Sequence, residues 1–212
     1  MSACGANSAS TRAGFVLAGG RSSRMGRDKA LLEVGASPGA RSASCTLIEH
    51  IAGEVRQAAG NVTLIASPDR YAHFGIPVVA DRVEGCGPLG GLFTALSITG
   101  ADWNLVVACD LPNATAALFE ELFVAAEHAG CVALVPSTSS GLEPLCAVYH
   151  RTAKASAETA ILHKQFRMQE FVSGIEACIW PAPAAGLFRN VNTPEDWCAQ
   201  MDWRMQTEAL KP

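Results

Sequence analysis

No stretch of this chain is apolar for the roughly twenty residues that a bilayer-crossing helix needs, so a helical membrane protein is excluded. Its eight cysteines, spread from Cys4 to Cys198, contain no C-x-x-C pair and no nearby His at zinc spacing. A zinc ribbon and a disulfide framework are therefore both disfavoured. Cys109, Cys131 and Cys146 lie in apolar, strand-like runs where a thiol acts as a small hydrophobe, and the reading is a reduced, cytoplasmic protein. Charge is also scarce, at 17% of residues with a net −4. Proteins that bind nucleic acid generally carry an excess of Lys and Arg, so that class is excluded too. The five histidines are scattered, and no Ser-His-Asp arrangement is suggested. Residues 1–12 have no apolar segment of signal-peptide type and read as a loose tail. What remains is a 212-residue chain that is 49% hydrophobic, enough for one domain over residues 13–212 with a substantial core.

Against that sparse background, three Arg and one Lys crowd into residues 21–29. They follow the apolar run Gly14-Phe15-Val16-Leu17 and sit in Leu17-Ala18-Gly19-Gly20-Arg21-Ser22-Ser23-Arg24-Met25-Gly26-Arg27-Asp28-Lys29. The chain leaves a buried strand into a glycine-rich cationic loop. Glycines let the backbone approach a ligand closely, and exposed N–H groups beside fixed cations suit a polyphosphate. The loop is not of the G-x-x-x-x-G-K-[ST] type. Five residues separate Gly20 from Gly26, and Ala30 follows Lys29 where a metal-binding hydroxyl is required.

Short apolar runs alternate with helical patterns. Strands are predicted at Gly14–Ala18, Val62–Ala66, Ile76–Ala80, Asn104–Cys109 and Cys131–Pro136, with helices near 46–59, 90–99 and 115–129. Further on, Pro144–Tyr149, Ile175–Trp180 and Leu187–Val191 read as strands, residues 152–172 as helical, and Gly35–Ser44 as an exposed loop. A closing helix starts at Thr193-Pro194-Glu195-Asp196, with Thr193 as N-cap. The expected fold is α/β: a Rossmann-like three-layer α/β/α arrangement around a mainly parallel twisted sheet. Ligands of such sheets bind beyond the carboxyl ends of the strands. Asp81 and Asp110 are predicted there.

Asp110, between Cys109 and Leu111-Pro112, is a candidate hard-oxygen ligand for Mg²⁺ or a helix cap; beside the basic loop the metal role is the better reading. Gly85-Cys86-Gly87-Pro88-Leu89-Gly90 contains G-x-G-x-x-G, but it lies well inside the chain and carries a Pro. Close approach to a base or ribose explains it better than a dinucleotide site. Asn190 and Asn192 bind the second substrate, complete a metal shell, or serve as turn and capping residues, and Glu143 faces either that substrate or solvent.

The basic-loop string, Gly87-Pro88-Leu89-Gly90-Gly91, Ala108-Cys109-Asp110-Leu111-Pro112, Glu143-Pro144-Leu145 and Asn190-Val191-Asn192-Thr193-Pro194-Glu195, in that order, resemble the nucleotidyltransferases that act on the molybdenum cofactor. The resemblance spans residues 14–197. It implies transfer of GMP from GTP to the terminal phosphate of molybdopterin, with pyrophosphate released. It also implies that Leu17, Ala18, Gly19 and Gly20 contact the nucleotide, Arg24 and Lys29 its phosphates, and Asp81 the guanosine. Asp110 would hold both nucleotide and Mg²⁺, Gly87 and Gly91 would border the base, and Asn190 and Asn192 would lie toward the pterin. Arg24, Lys29 and Asp110 are the implied catalytic set. A polar residue seen at the end of the second strand in some members is replaced here by Ile65. Ala18-Gly19-Gly20 favours guanine over cytosine. The alternatives are a cytidylyltransferase on the same cofactor, a sugar-1-phosphate nucleotidyltransferase, or a non-catalytic GTP-sensing protein that delivers cofactor. Molybdoenzyme apoproteins or their chaperones are the implied protein partners, with the chain a monomer or weak homo-oligomer, and without nucleic acid or membrane.

Overall fold

Residues 11–19, 28–34 and 45–199 are described by a computed structural model. The strands and helices, in chain order, are β1 (Arg12–Leu17), β2 (Glu33–Val34), β3 (Cys45–Thr46), α1 (Leu47–Ala59), β4 (Thr63–Ile65), α2 (Pro68–Tyr71), β5 (Val78–Val79) and α3 (Gly87–Ile98). They continue with β6 (Trp103–Ala108), α4 (Ala116–Ala129), β7 (Ala133–Thr138), β8 (Gly141–Leu142), β9 (Cys146–His150), α5 (Ala153–Leu162), α6 (Met168–Ser173) and β10 (Ala177–Pro181). Residues 194–199 are helical as well.

The main sheet runs β10-β7-β9-β6-β1-β4-β5, with β8 paired to β7. Strands β6, β1, β4 and β5 are mutually parallel, as are β7 and β10, whereas β9 runs antiparallel between β6 and β7. Alternation along the central strands sends side chains to two faces. Val16, Leu105 and Val107 pack with Ile48, Ile51 and Phe119 from α1 and α4. Phe15 and Val106 pack with Leu89, Leu92 and Phe171 from α3 and α6, together with Ala153 and Ala157 of α5. This is the expected three-layer arrangement.

Gly14 explains how α1 lies so close to β1. A Cβ there would overlap Val55 Cγ1 and stand 2.9 Å from the Asn61 carbonyl oxygen and 3.2 Å from Ala59 Cβ. Gly14→Ala should therefore destabilise the fold by about 1–3 kcal/mol, the usual cost of overpacking a filled site. A lowered midpoint in urea unfolding, with unchanged slope, is the expected measurement; an unchanged midpoint would refute the packing argument.

Two expectations need correction. Residues 152–172 are not one helix: α5 ends at Leu162, Lys164 takes a left-handed φ of 58°, and α6 starts at Met168. Residues 187–191 are not a strand. Ala185–Phe188 form a 3-10 turn, and Phe188 and Val191 are buried as anchors against the α1/α4 side and Leu32, respectively. A hydrogen bond from Val191 N–H to the Asp110 carbonyl (3.0 Å) ties this segment toward the sheet. The tail expected over residues 1–12 lies outside the described residues except for its last two, and Arg12 already belongs to β1. The Gly35–Ser44 loop lies outside them entirely.

Candidate active site

The carboxyl ends of β1 and β6 are adjacent, and their exits are locked together. Cys109 N–H donates to the Leu17 carbonyl (3.2 Å), and Ala18 N–H donates to the Ile65 carbonyl (3.1 Å). Leu17, Ala18 and Gly19 thus leave the sheet beside Asp110. Gly19 has φ of +152°, in the region that favours glycine. Gly91 meets Leu17 directly, since a Cβ on Gly91 would stand 3.0 Å from Leu17 Cδ2. Its smallness lets α3 pack on β1. Ile65 is buried in the same core, so this end of β4 offers no side-chain polar contact.

Lys29 and Asn192 come from distant parts of the chain to the same point. Lys29 Nζ donates to Asn192 Oδ1 (2.7 Å) and forms an ion pair with Asp110 Oδ2 (3.4 Å). The turn that carries Lys29 is fixed from behind by Asp28. Its carboxylate accepts from Ala30 N–H (3.2 Å) and from the Tyr71 hydroxyl (2.8 Å), and it pairs with Arg70. Asn192 is fixed by the closing helix: Asp196 accepts from the Asn192 and Thr193 N–H groups, both at 2.9 Å, and Thr193 Oγ1 accepts from Asp196 N–H (3.1 Å). Thr193 is therefore the N-cap that the sequence indicated.

Burial raises the pKa of Asp110 above the ordinary aspartate value, and the Lys29 cation opposes the rise. Burial does the same to Glu143, with the Thr138 hydroxyl opposing and the Asp110 charge adding to the rise. Two carboxylates that disfavour their own charge thus line one cavity, and Lys29 pairs with the Asp110 one. No cluster of three or more Cys, His, Asp or Glu occurs among the described residues. Mg²⁺ does not need one, because it commonly takes one or two carboxylates and completes its shell with phosphate oxygens and water. The residues present fit it.

Asp110 also opens onto a cavity of about 520 Å³. Ala108, Pro88 and Asn190 contribute to its lining, together with Glu143, Leu145, Phe166, Arg167 and Met168. The Glu143-Pro144-Leu145 wall is braced by the buried Tyr149, whose hydroxyl donates to the Pro144 carbonyl (2.7 Å). Phe166 and Arg167 were missed from sequence because residues 152–172 read as one helix. The interruption at 163–167 is what turns them into the cavity.

Of the residues singled out from sequence, Lys29 and Asn192 meet Asp110, Leu17, Ala18 and Gly19 leave the sheet beside it, and Asn190 lines the cavity with Asp110. Asp81 follows β5, beside α3, where Gly87 supplies the first turn and Gly91 packs on Leu17. Gly20 and Arg24 lie outside the described residues.

The profile of the MobA-like NTP transferase domain matches residues 14–176. A protein named "Probable molybdenum cofactor guanylyltransferase" from Carboxydothermus hydrogenoformans is 32% identical over 189 residues, covering 86% of this chain and 91% of the relative. One of the same name from Opitutus terrae is 34% identical over 199 residues, covering 89% and 94%. Among solved structures, molybdopterin-guanine dinucleotide biosynthesis protein A from Archaeoglobus fulgidus superposes with a TM-score of 0.76 at 23% identity, covering 92% of this chain and 99% of that one. At that identity the likeness speaks for the fold. Profile and relatives together go further: the chain belongs to the MobA-like NTP transferase family and is a nucleotidyltransferase.

Proposed function

We propose that this enzyme transfers GMP from GTP to the terminal phosphate of molybdopterin and releases pyrophosphate, as a cytoplasmic step in making the guanine dinucleotide form of the molybdenum cofactor. The observation that carries this reading is the meeting of Lys29, Asn192 and Asp110 at the mouth of the cavity. The lysine cation suits the nucleotide's phosphates and the carboxylate suits the Mg²⁺ that accompanies them, and the cavity beyond suits a second, larger substrate. The names of the relatives agree with it.

In the reaction the acceptor's phosphate oxygen forms a bond to the α-phosphorus of GTP, in line with the α–β bridging oxygen, which departs with pyrophosphate. The acceptor phosphate is already ionised near neutral pH, so no general base is needed. Lys29 and Arg24 would hold the triphosphate and offset charge on the departing pyrophosphate, which is where most catalysis of phosphoryl-type transfer arises. Asp110, with help from Glu143, would hold Mg²⁺, which would supply a Lewis acid for the phosphates. On the acceptor side, Phe166, Leu145 and Met168 offer apolar walls for a flat heterocycle, and Arg167 a cation for its phosphate.

The test is pyrophosphate release with each of the four nucleoside triphosphates, Mg²⁺ and molybdopterin. GTP should be turned over far faster than CTP, and only with acceptor present. Faster turnover of CTP would make the enzyme a cytidylyltransferase. Tight GTP binding with no pyrophosphate released under any condition would favour a sensing or delivery role, to apoenzyme partners or their chaperones.

A further inference from the structure

Thr94 is a polar residue with no solvent exposure, placed in the middle of α3. A buried helical threonine usually returns its hydroxyl to the carbonyl four residues earlier. Thr94 instead donates it to Asp81 Oδ1 (2.8 Å), while Thr94 Oγ1 itself accepts from Arg82 N–H (2.9 Å). Val83 N–H adds a second donor to Asp81 Oδ1 (3.2 Å). One carboxylate oxygen is therefore saturated, and Oδ2 has no hydrogen-bond partner among the described residues. Gly90, one turn before Thr94 on the same helix face, closes the other side. A Cβ there would stand 3.0 Å from Asp81 Oδ2 and 2.9 Å from the Val83 carbonyl oxygen. The Gly90–Thr94 face of α3 is shaped around this one carboxylate.

We infer that Thr94 is a specificity-determining positioning residue, which holds Asp81 so that Oδ2 faces the Watson–Crick edge of the nucleobase. The inference rests on the proposal that the donor nucleotide is GTP with Asp81 at its guanosine. Guanine presents a ring N–H next to an exocyclic amine, both donors. Adenine and cytosine present an amine next to an unprotonated ring nitrogen, whose lone pair a fixed carboxylate repels. A loosely held carboxylate could swing away from that lone pair and would discriminate less, since specificity lies in the unfavourable contact as much as in the favourable one.

The test is calorimetric binding of GTP and ATP to the full chain with Mg²⁺, which needs no acceptor. The ratio of the two dissociation constants is the readout, because general damage to the fold weakens both nucleotides alike. Thr94→Val should shrink the GTP preference roughly tenfold, the scale of losing one hydrogen bond to a charged group. Thr94→Ser should restore it, and Gly90→Ala, which crowds Oδ2 from the opposite side, should also shrink it. Should Thr94→Val fail to fold, Thr94→Ala carries the same prediction. An unchanged ratio in the Thr94 variants, with the ratio collapsed in Asp81→Asn, would overturn the role given to Thr94 alone. An unchanged ratio in Asp81→Asn would instead overturn the placement of Asp81 at the base.

Discussion

Asp110→Asn is expected to lower kcat/KM for nucleotidyl transfer by roughly 10²–10³ while the protein stays folded. The magnitude is that of removing one preorganised electrostatic group from a reacting centre. The variant keeps the volume and the polarity of the side chain and removes only its charge and half of its acceptor capacity. Stability should move little, or upward. Burial raises the pKa of Asp110, so the folded state binds its proton more tightly than the unfolded chain does. Above the unfolded value the ionised carboxylate therefore detracts from stability, and a neutral isostere removes that cost, less the lost Lys29 pairing. A thermal midpoint at or above that of the wild type, together with crippled pyrophosphate release, would mark Asp110 as kept for chemistry. Near-normal release at saturating nucleotide, with the fold intact, would remove it from the mechanism.

The layers of this fold were legible because its central strands are simple. In β1 and β6 every interior residue is buried, so the apolar runs are continuous and bounded by turn residues. Helix α1 announces itself through Thr46 and Glu49 at one end, where Glu49 accepts from Thr46 N–H, and through Gly60 in the left-handed region at the other. What stayed hidden depends on contacts that no local pattern encodes. Residues 163–167 keep a helix-compatible composition, yet the chain breaks there so that Met168 and Phe171 can dock under β9 and α5. Residues 187–191 have strand-like apolar content, yet Ala185–Phe188 form a 3-10 turn and the buried Phe188 and Val191 serve as anchors instead.

The site divides the same way. Asp110 and Asp81 could be placed because strand ends in a parallel sheet all point to one crevice. The contact between Lys29 and Asn192 spans 163 residues of sequence, and nothing in either motif foretold it. The support behind the site was also silent. Asp28, Tyr71 and Arg70 form a brace only because α2 folds against the turn after β1, and nothing in the sequence of α3 sets Thr94 apart as the partner of Asp81.

Lys29→Met should cost roughly 10²-fold in kcat and weaken GTP binding roughly tenfold, measured by single-turnover release and by calorimetry. The two effects would separate if, as proposed, Lys29 meets both ground-state phosphate and, more strongly, the charge that grows on the leaving pyrophosphate. Lys29→Arg should recover most of the binding but not the rate. A planar guanidinium cannot take the place of a compact ammonium seated 2.7 Å from Asn192 Oδ1 and 3.4 Å from Asp110 Oδ2. An unchanged kcat in Lys29→Met would confine the residue to binding. The double variant Lys29→Met/Asp110→Asn discriminates further. If both side chains act on one triphosphate, its loss should fall well short of the product of the two single losses, because groups that work as a unit are strongly non-additive. Independent losses that multiply in full would mean that the ion pair between them is a structural contact and that each acts on a different part of the reaction.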